Sequence, residues 1–226
     1  MSNQQFKSMN SDEIYLALKD DIINLKLYPG QLISENEISR QYNVSRTPVK
    51  TAFLMLRSEK FIEIVPQKGT YVTLLDLEFI KELIYMRTVL ESTVIKDVLV
   101  KVNDELLNKL SENLRKQKEI LQKPVVEPSE FYNADSEFHS ICFDFAGKTR
   151  LWKIIQESQV YYTRFKMLDI VELGCFERLN EEHCELFEVI KSKDKEKLDE
   201  VMHRHLHGNI NRLGDRIYNE LRHYFV

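Results

Sequence analysis

The chain changes rhythm near residue 75. Before that point apolar residues mark short helices and two β-rich runs. After it Leu, Ile and Val recur at three- and four-residue steps to the C-terminus with no further strand signal. Ser11 and Asp12 read as the cap of a helix that carries Ile14, Leu18, Ile22 and Leu25 on one face, and Tyr28-Pro29-Gly30 stops it. Ser34 with Glu37 forms a capping-box pattern for a short helix over 35–42, which Asn43 breaks in a left-handed or turn conformation. Ser45 caps a third helix from Arg46 to about Ser58, with Pro48 in its first turn, where the missing N–H costs nothing. The runs 61–65 and 69–74, separated by Pro66-Gln67-Lys68-Gly69, predict a two-stranded hairpin. Helix, helix, turn, helix, hairpin over residues 1–75 is the layout of a winged helix-turn-helix.

From Asp76 the spacing predicts helices over 76–100, 104–121, 129–146, 151–173, 176–190 and 195 onward, a six-helix bundle filling 76–226. The fold class is therefore mainly α, in two domains. With 6 Gly, 5 Pro and 43% hydrophobic residues, disordered and low-complexity classes are excluded. No apolar run approaches the ~20 residues needed to cross a bilayer, and Met1 to Lys7 lack the apolar stretch of a secretory signal. A cytoplasmic protein with no membrane association is expected. Cys142, Cys175 and Cys184 show no CxxC spacing, so reduced thiols are the default. Gly147-Lys148-Thr149 lacks the earlier glycine of a phosphate-binding loop and reads as a helix break.

The net charge of −4 is unevenly divided. Residues 1–75 carry 9 basic and 8 acidic side chains, so only this third can face a polyanion without strong repulsion. A helix-turn-helix lays its second helix in the major groove, with polar and basic groups at the helix start. Arg46 can fork onto a guanine edge, Ser45 and Thr47 offer hydroxyls, and Lys50 lies one turn further on the same face. Lys68 and Gly69 at the hairpin tip can approach a neighbouring groove. The partner implied is double-stranded DNA.

In the bundle, ionisable residues in phase with the apolar stripes carry the information. Asp135 and His139 share a helix face with Phe131, Phe138 and Cys142. His183 falls in the run Leu179, Leu186, Phe187, Ile190, and His205 is in phase with Leu198 and Met202, whereas His203 and His207 align less well. Singly, each histidine reads as a hydrogen-bonded or exposed residue. Together, four inward polar residues on three helices offer three nitrogens and an oxygen, a set suited to Zn²⁺, Ni²⁺ or Mn²⁺ with positions left open. Cys142, three residues after His139, reads as core packing or as a sulfur near that site. Arg87, four before Glu91, either makes a helix salt bridge or reaches into a pocket, and Arg164 is a second pocket candidate. Tyr85, Tyr132, Phe138, Tyr161 and Tyr162 read as core or as pocket walls.

The string from Leu27 to Lys50, followed by Leu56, Glu59 and Gly69-Thr70-Tyr71-Val72, resembles the DNA-binding domain of GntR-type transcriptional regulators. The resemblance implies that Arg46, Thr47, Lys50 and Gly69 take the operator-contacting places, with Ser45 capping. Asn36 and Lys50 stand where the family usually has Arg, and Thr51 replaces an acidic residue, so operator sequence does not transfer from relatives. Glu82 to Glu91, Asp135-Ser136-Glu137-Phe138-His139, Glu182-His183 and His205-Leu206 resemble the FCD effector domain of the FadR branch. The resemblance implies metal ligation by Asp135, His139, His183 and His205. It also implies a small carboxylate effector met by Arg87, and a VanR-like subgroup with six helices. The resulting expectation is a homodimeric regulator of a pseudo-palindromic operator, a repressor by family default, whose DNA affinity an effector controls. A metal-dependent hydrolase using the Asp/His cluster is the alternative, and a partner-binding bundle a third reading. The hydrolase lacks a nucleophile elbow or HExxH motif.

Overall fold

The computed structural model describes residues 9–158 and 160–226, without the side chains of Ser158 and Val160. The expectation at Met1 to Lys7 lies outside these residues, as does position 159 of the predicted helix over 151–173. The described residues form two compact units, residues 9–75 with 220–226 and residues 76–219.

In the first unit α1 (Ser11–Ile23), α2 (Glu35–Gln41) and α3 (Arg46–Ser58) enclose Ile14, Leu18, Ile22, Ile38, Val49, Ala52, Phe53 and Leu56, all buried. The cap of α1 is Asn10, not Ser11 or Asp12. Its side chain accepts from Glu13 N and Glu13 returns a bond to Asn10 N, a complete capping box one residue earlier than the sequence predicts. Ser34 does cap α2, but through Asn36 N at 3.2 Å. Asn43 breaks the chain at φ +52, as its αL tolerance predicts. Glu59 accepts from Tyr15 at 2.5 Å and Lys19 at 2.6 Å, tying α1 to the end of α3.

The hairpin of β2 (Ile62–Val65) and β3 (Gly69–Val72) gains a third strand, β1 (Leu32–Ile33), in the antiparallel order β1-β3-β2. Two residues are too few for a periodic signal, so this strand was not legible. The seven C-terminal residues, which the sequence reading assigned to the helical domain, join this unit. Leu75 pairs with Phe225, Leu75 N donates to Tyr224 O at 2.8 Å, and Val226 N donates to Leu75 O at 3.0 Å. Leu221 and Phe225 are buried, and the rings of Tyr28 and Tyr224 stand 6.3 Å apart.

The second unit is helical among its described residues: α4 (Leu77–Lys101), α5 (Asp104–Leu121), α6 (Pro128–Phe145), α7 (Thr149–Ser158), α8 (Val160–Leu173), α9 (Phe176–Ser192) and α10 (Lys195–Leu213). Where the sequence predicts one helix over 151–173, the described residues of that segment fall in two, α7 and α8, on either side of position 159. Seven helices are thus described where the sequence predicts six. Asp76, Asn103 and Asp194 cap α4, α5 and α10 through side-chain oxygens. An apolar core including Val98, Leu110, Phe138, Cys142, Leu186, Leu198 and Met202 runs between α4, α5, α6, α9 and α10. The polar centre lies beside it, because His139, His183 and His205 sit in phase with those residues.

Candidate nucleic-acid interface and histidine centre

Ser45 is the N-cap of α3, yet its side chain makes no capping hydrogen bond. Its hydroxyl and the first N–H groups of the helix are thus open toward solvent, the arrangement that receives a phosphate. Ser45, Arg46, Thr47 and Lys50 are exposed while Val49 is buried, so the apolar stripe that seats α3 turns its polar start outward. Among the described residues neither Arg46 nor Lys50 pairs with a carboxylate. Lys68 is exposed in the β2–β3 turn. Gly69 has φ +136, and a Cβ there would come within 2.6 Å of Leu32 Cδ1, so the close packing of β1 on β3 demands glycine as well.

In the second unit the nitrogens of His139 (α6), His183 (α9) and His205 (α10) lie within 4.8 Å of one another, all three residues buried. Each ring is oriented through Nδ1. His139 Nδ1 faces Glu91 Oε2 at 2.7 Å, and His205 Nδ1 faces Glu182 Oε2 at 3.0 Å. His183 Nδ1 lies 2.9 Å from Gln117 Oε1. The amide of Gln117 is fixed in turn, because its Nε2 donates to Asn113 Oδ1 at 2.7 Å and Asn113 Nδ2 donates to Ala134 O at 3.0 Å. Three acceptors therefore place three protons on Nδ1 and leave the Nε2 lone pairs facing inward.

Those inward atoms have nothing to bind among themselves. His139 Nε2 and His205 Nε2 are 3.2 Å apart. His183 Nε2 and Asp135 Oδ1 are 3.4 Å apart, and neither of this second pair has a hydrogen-bond partner. Burial, reinforced by the neighbouring histidines, pushes His183 and His205 well below the ordinary histidine pKa and keeps them neutral, the form that ligates metals. Metal–donor distances of ~2.0–2.2 Å set adjacent donors roughly 3.0–3.4 Å apart, the separation of the His139–His205 and His183–Asp135 pairs. Cys142 is packed in the apolar core, where burial pushes its thiol up to about 12, and it stands outside this centre.

Charged groups surround the histidines. Burial alone would raise the Asp135 pKa, but Lys166 and the histidines outweigh it and hold the carboxyl far below its usual range. Asp135 Oδ2 accepts from Lys166 Nζ at 2.5 Å. Burial likewise opposes Glu91, which Arg87 and His139 nevertheless keep ionised. Arg87 Nε donates to Glu91 Oε1 at 2.5 Å, and its guanidinium lies 4.5 Å from the centre of the Tyr162 ring. Arg87 thus makes the helix salt bridge that its spacing to Glu91 predicts, and makes it within the core beside the histidines. Arg164 is fully buried, and desolvation pulls its pKa down to about 10. Tyr132 donates to or accepts from Thr163 at 3.0 Å, whereas Tyr85 is 71% exposed and walls nothing.

A second layer lies behind His205. Arg212 donates to both oxygens of Asp169, the shortest bond 2.7 Å, and to Glu182 Oε1 at 3.1 Å. Gly208 admits it, because a Cβ at 208 would fall 2.6 Å from Arg212 Nη1. Sequence reasoning missed Gln117, Lys166, Asp169, Glu182 and Arg212 as parts of the centre. One signal was available: Tyr162, Lys166 and Asp169 share one face of α8, polar residues in an otherwise buried stripe.

Comparison with known proteins places both units. Residues 10–72 match the bacterial regulatory proteins of the gntR family, and residues 82–208, more than half the chain, match the FCD domain. The chain belongs to the GntR family of transcriptional regulators and carries an FCD domain. It is 26% identical over 196 residues to the HTH-type transcriptional repressor RspR of Escherichia coli, spanning 87% of this chain and 85% of that protein. It is 28% identical over 219 residues to the gluconate operon transcriptional repressor of Bacillus subtilis, spanning 93% and 86%. The solved structure of E. coli McbR/YncC has the same fold, with a TM-score of 0.68 at 22% identity over 92% of this chain and 98% of that one. The protein is thus a DNA-binding transcriptional regulator and not an enzyme, and the hydrolase alternative finds no support. No helix among the described residues is long and apolar enough to cross a membrane.

Proposed function

We propose that this protein is a metabolite-responsive repressor that binds a pseudo-palindromic operator as a homodimer and releases it when a small carboxylate effector occupies the helical domain. Repression follows the names of the two relatives above. Ser45, Arg46, Thr47 and Lys50 meet bases and phosphates from the start of α3, with Lys68 and Gly69 of the hairpin on an adjacent groove. The observation that carries the effector reading is the facing set of Nε2 atoms and Asp135 Oδ1, electron-rich, buried and without a donor between them.

His139, His183, His205 and Asp135 would hold a divalent ion such as Zn²⁺, Ni²⁺ or Mn²⁺, which when bound supplies open coordination positions to a carboxylate oxygen. Glu91, Glu182 and Gln117 keep the three imidazoles in the ligating tautomer and fix their direction. Arg87, and Arg164 on α8, supply the cationic wall that an organic acid requires.

Elemental analysis of the purified protein and of His139→Ala tests this reading. About one divalent ion per wild-type chain, lost in the variant, is expected. A wild-type protein that is free of metal and takes none up on reconstitution would overturn it.

A further inference from the structure

The role of Lys166 is not accounted for by the ligand set. Its Nζ is 4% exposed with the rest of the side chain, pairs with Asp135 Oδ2 at 2.5 Å, and stands 5.8 Å from the centre of the Tyr132 ring. The same carboxylate turns its other oxygen, Oδ1, toward His183 Nε2. Asp135 thus stands between two places for a cation, and an ammonium tethered to α8 already holds one of them.

Beside the histidines Arg87 and Lys166 are cationic and Glu91, Asp135 and Glu182 anionic, all five buried, and Arg212 spans Glu182 and Asp169. A divalent ion added at the Nε2 atoms tips this interior to an excess of positive charge, and it draws the Asp135 charge away from Lys166. In a low-dielectric interior such an excess is strongly unfavourable until an anion compensates it.

We propose that Lys166 is a built-in competitor of the metal at Asp135, and that metal loading releases its ammonium to hold the anionic group of the effector. The inference rests on the metal reading above. It makes Lys166 a specificity-determining residue whose removal has opposite effects on two ligands. Metal binds more tightly, because the free protein loses the pair that competes for Asp135. Carboxylate binding is lost, because the released cation is gone.

The test measures Zn²⁺ affinity by competition with a chromophoric chelator for wild type, Lys166→Met and Lys166→Arg. Each is measured in chloride and in acetate, a minimal carboxylate, at equal ionic strength. Lys166→Met should bind Zn²⁺ at least ~10-fold more tightly than wild type, whereas Lys166→Arg, which keeps the charge, should stay within ~3-fold. Acetate should tighten Zn²⁺ binding in wild type, as reciprocal coupling requires, and should have no such effect in Lys166→Met. Circular dichroism checks that each variant is folded before its affinity is compared, because an unfolded chain exposes Cys and His side chains that bind Zn²⁺, and Lys166→Gln replaces Lys166→Met should that protein fail to fold. Unchanged or weaker Zn²⁺ binding in a folded, neutral variant overturns the inference alone, as does a wild type indifferent to acetate. Absence of Zn²⁺ binding in every protein overturns the metal reading and this inference with it.

Discussion

The two units handle polar groups in opposite ways. The start of α3 presents Ser45, Arg46, Thr47 and Lys50 to solvent, whereas the helical unit buries Arg87, Glu91, Asp135, His139, Lys166, Glu182, His183 and His205 and fixes them through one another. A surface that reads a large polyanion needs groups already free and hydrated, since the partner brings the compensating charge. A site for a small ligand needs groups oriented before the ligand arrives, and burial with fixed partners supplies that orientation. Stability and function should therefore separate in the first unit and remain inseparable in the second.

The largest effect is expected from Glu91→Ala, which leaves the Arg87 guanidinium and His139 Nδ1 buried without their carboxylate. Loss of one partner of a buried pair should destabilise the helical unit by ~3–5 kcal/mol. Hydrogen exchange should speed up in peptides of α4 and α6 while α3 stays protected, and uniform exchange at both would break the comparison.

Next is Phe225→Ala, near the C-terminus but packed in the first unit. Removing this buried ring should cost about 3 kcal/mol. Faster exchange should appear around Leu75 and β3, residues far away in sequence, with α9 unaffected. Unchanged protection at Leu75 would show that the tail contributes nothing to that unit.

The smallest effect on stability is expected from Arg46→Ala. Its unfolding free energy should stay within ~0.5 kcal/mol of wild type. Operator affinity should fall by ~1–3 kcal/mol, about 10- to 100-fold, with relaxed discrimination at one base pair. A large drop in melting temperature would show that Arg46 is part of the fold and not only of the reading surface.

Much of the fold could be read locally. The winged helix-turn-helix, the exposed start of α3 and the inward phase of His139, His183 and His205 all follow from spacing within a single helix, because a 3.6-residue period fixes which side chains share a face. Where the sequence reading erred, the signal was short or displaced. The cap of α1 fell on Asn10 beside two other good capping residues, and β1 has two residues.

The composition of the candidate site was legible only in part. The sequence by itself determined that four ligand-type residues point into the bundle. Periodicity assigns a direction to each side chain but no distance between helices. Tertiary structure decided that Asp135 would face His183 with one oxygen and Lys166, 31 residues away, with the other. It also brought Gln117 to His183 across 66 positions, and returned Phe225 to Leu75. Such pairings depend on which helices pack together, and that is settled by burying all the apolar faces at once.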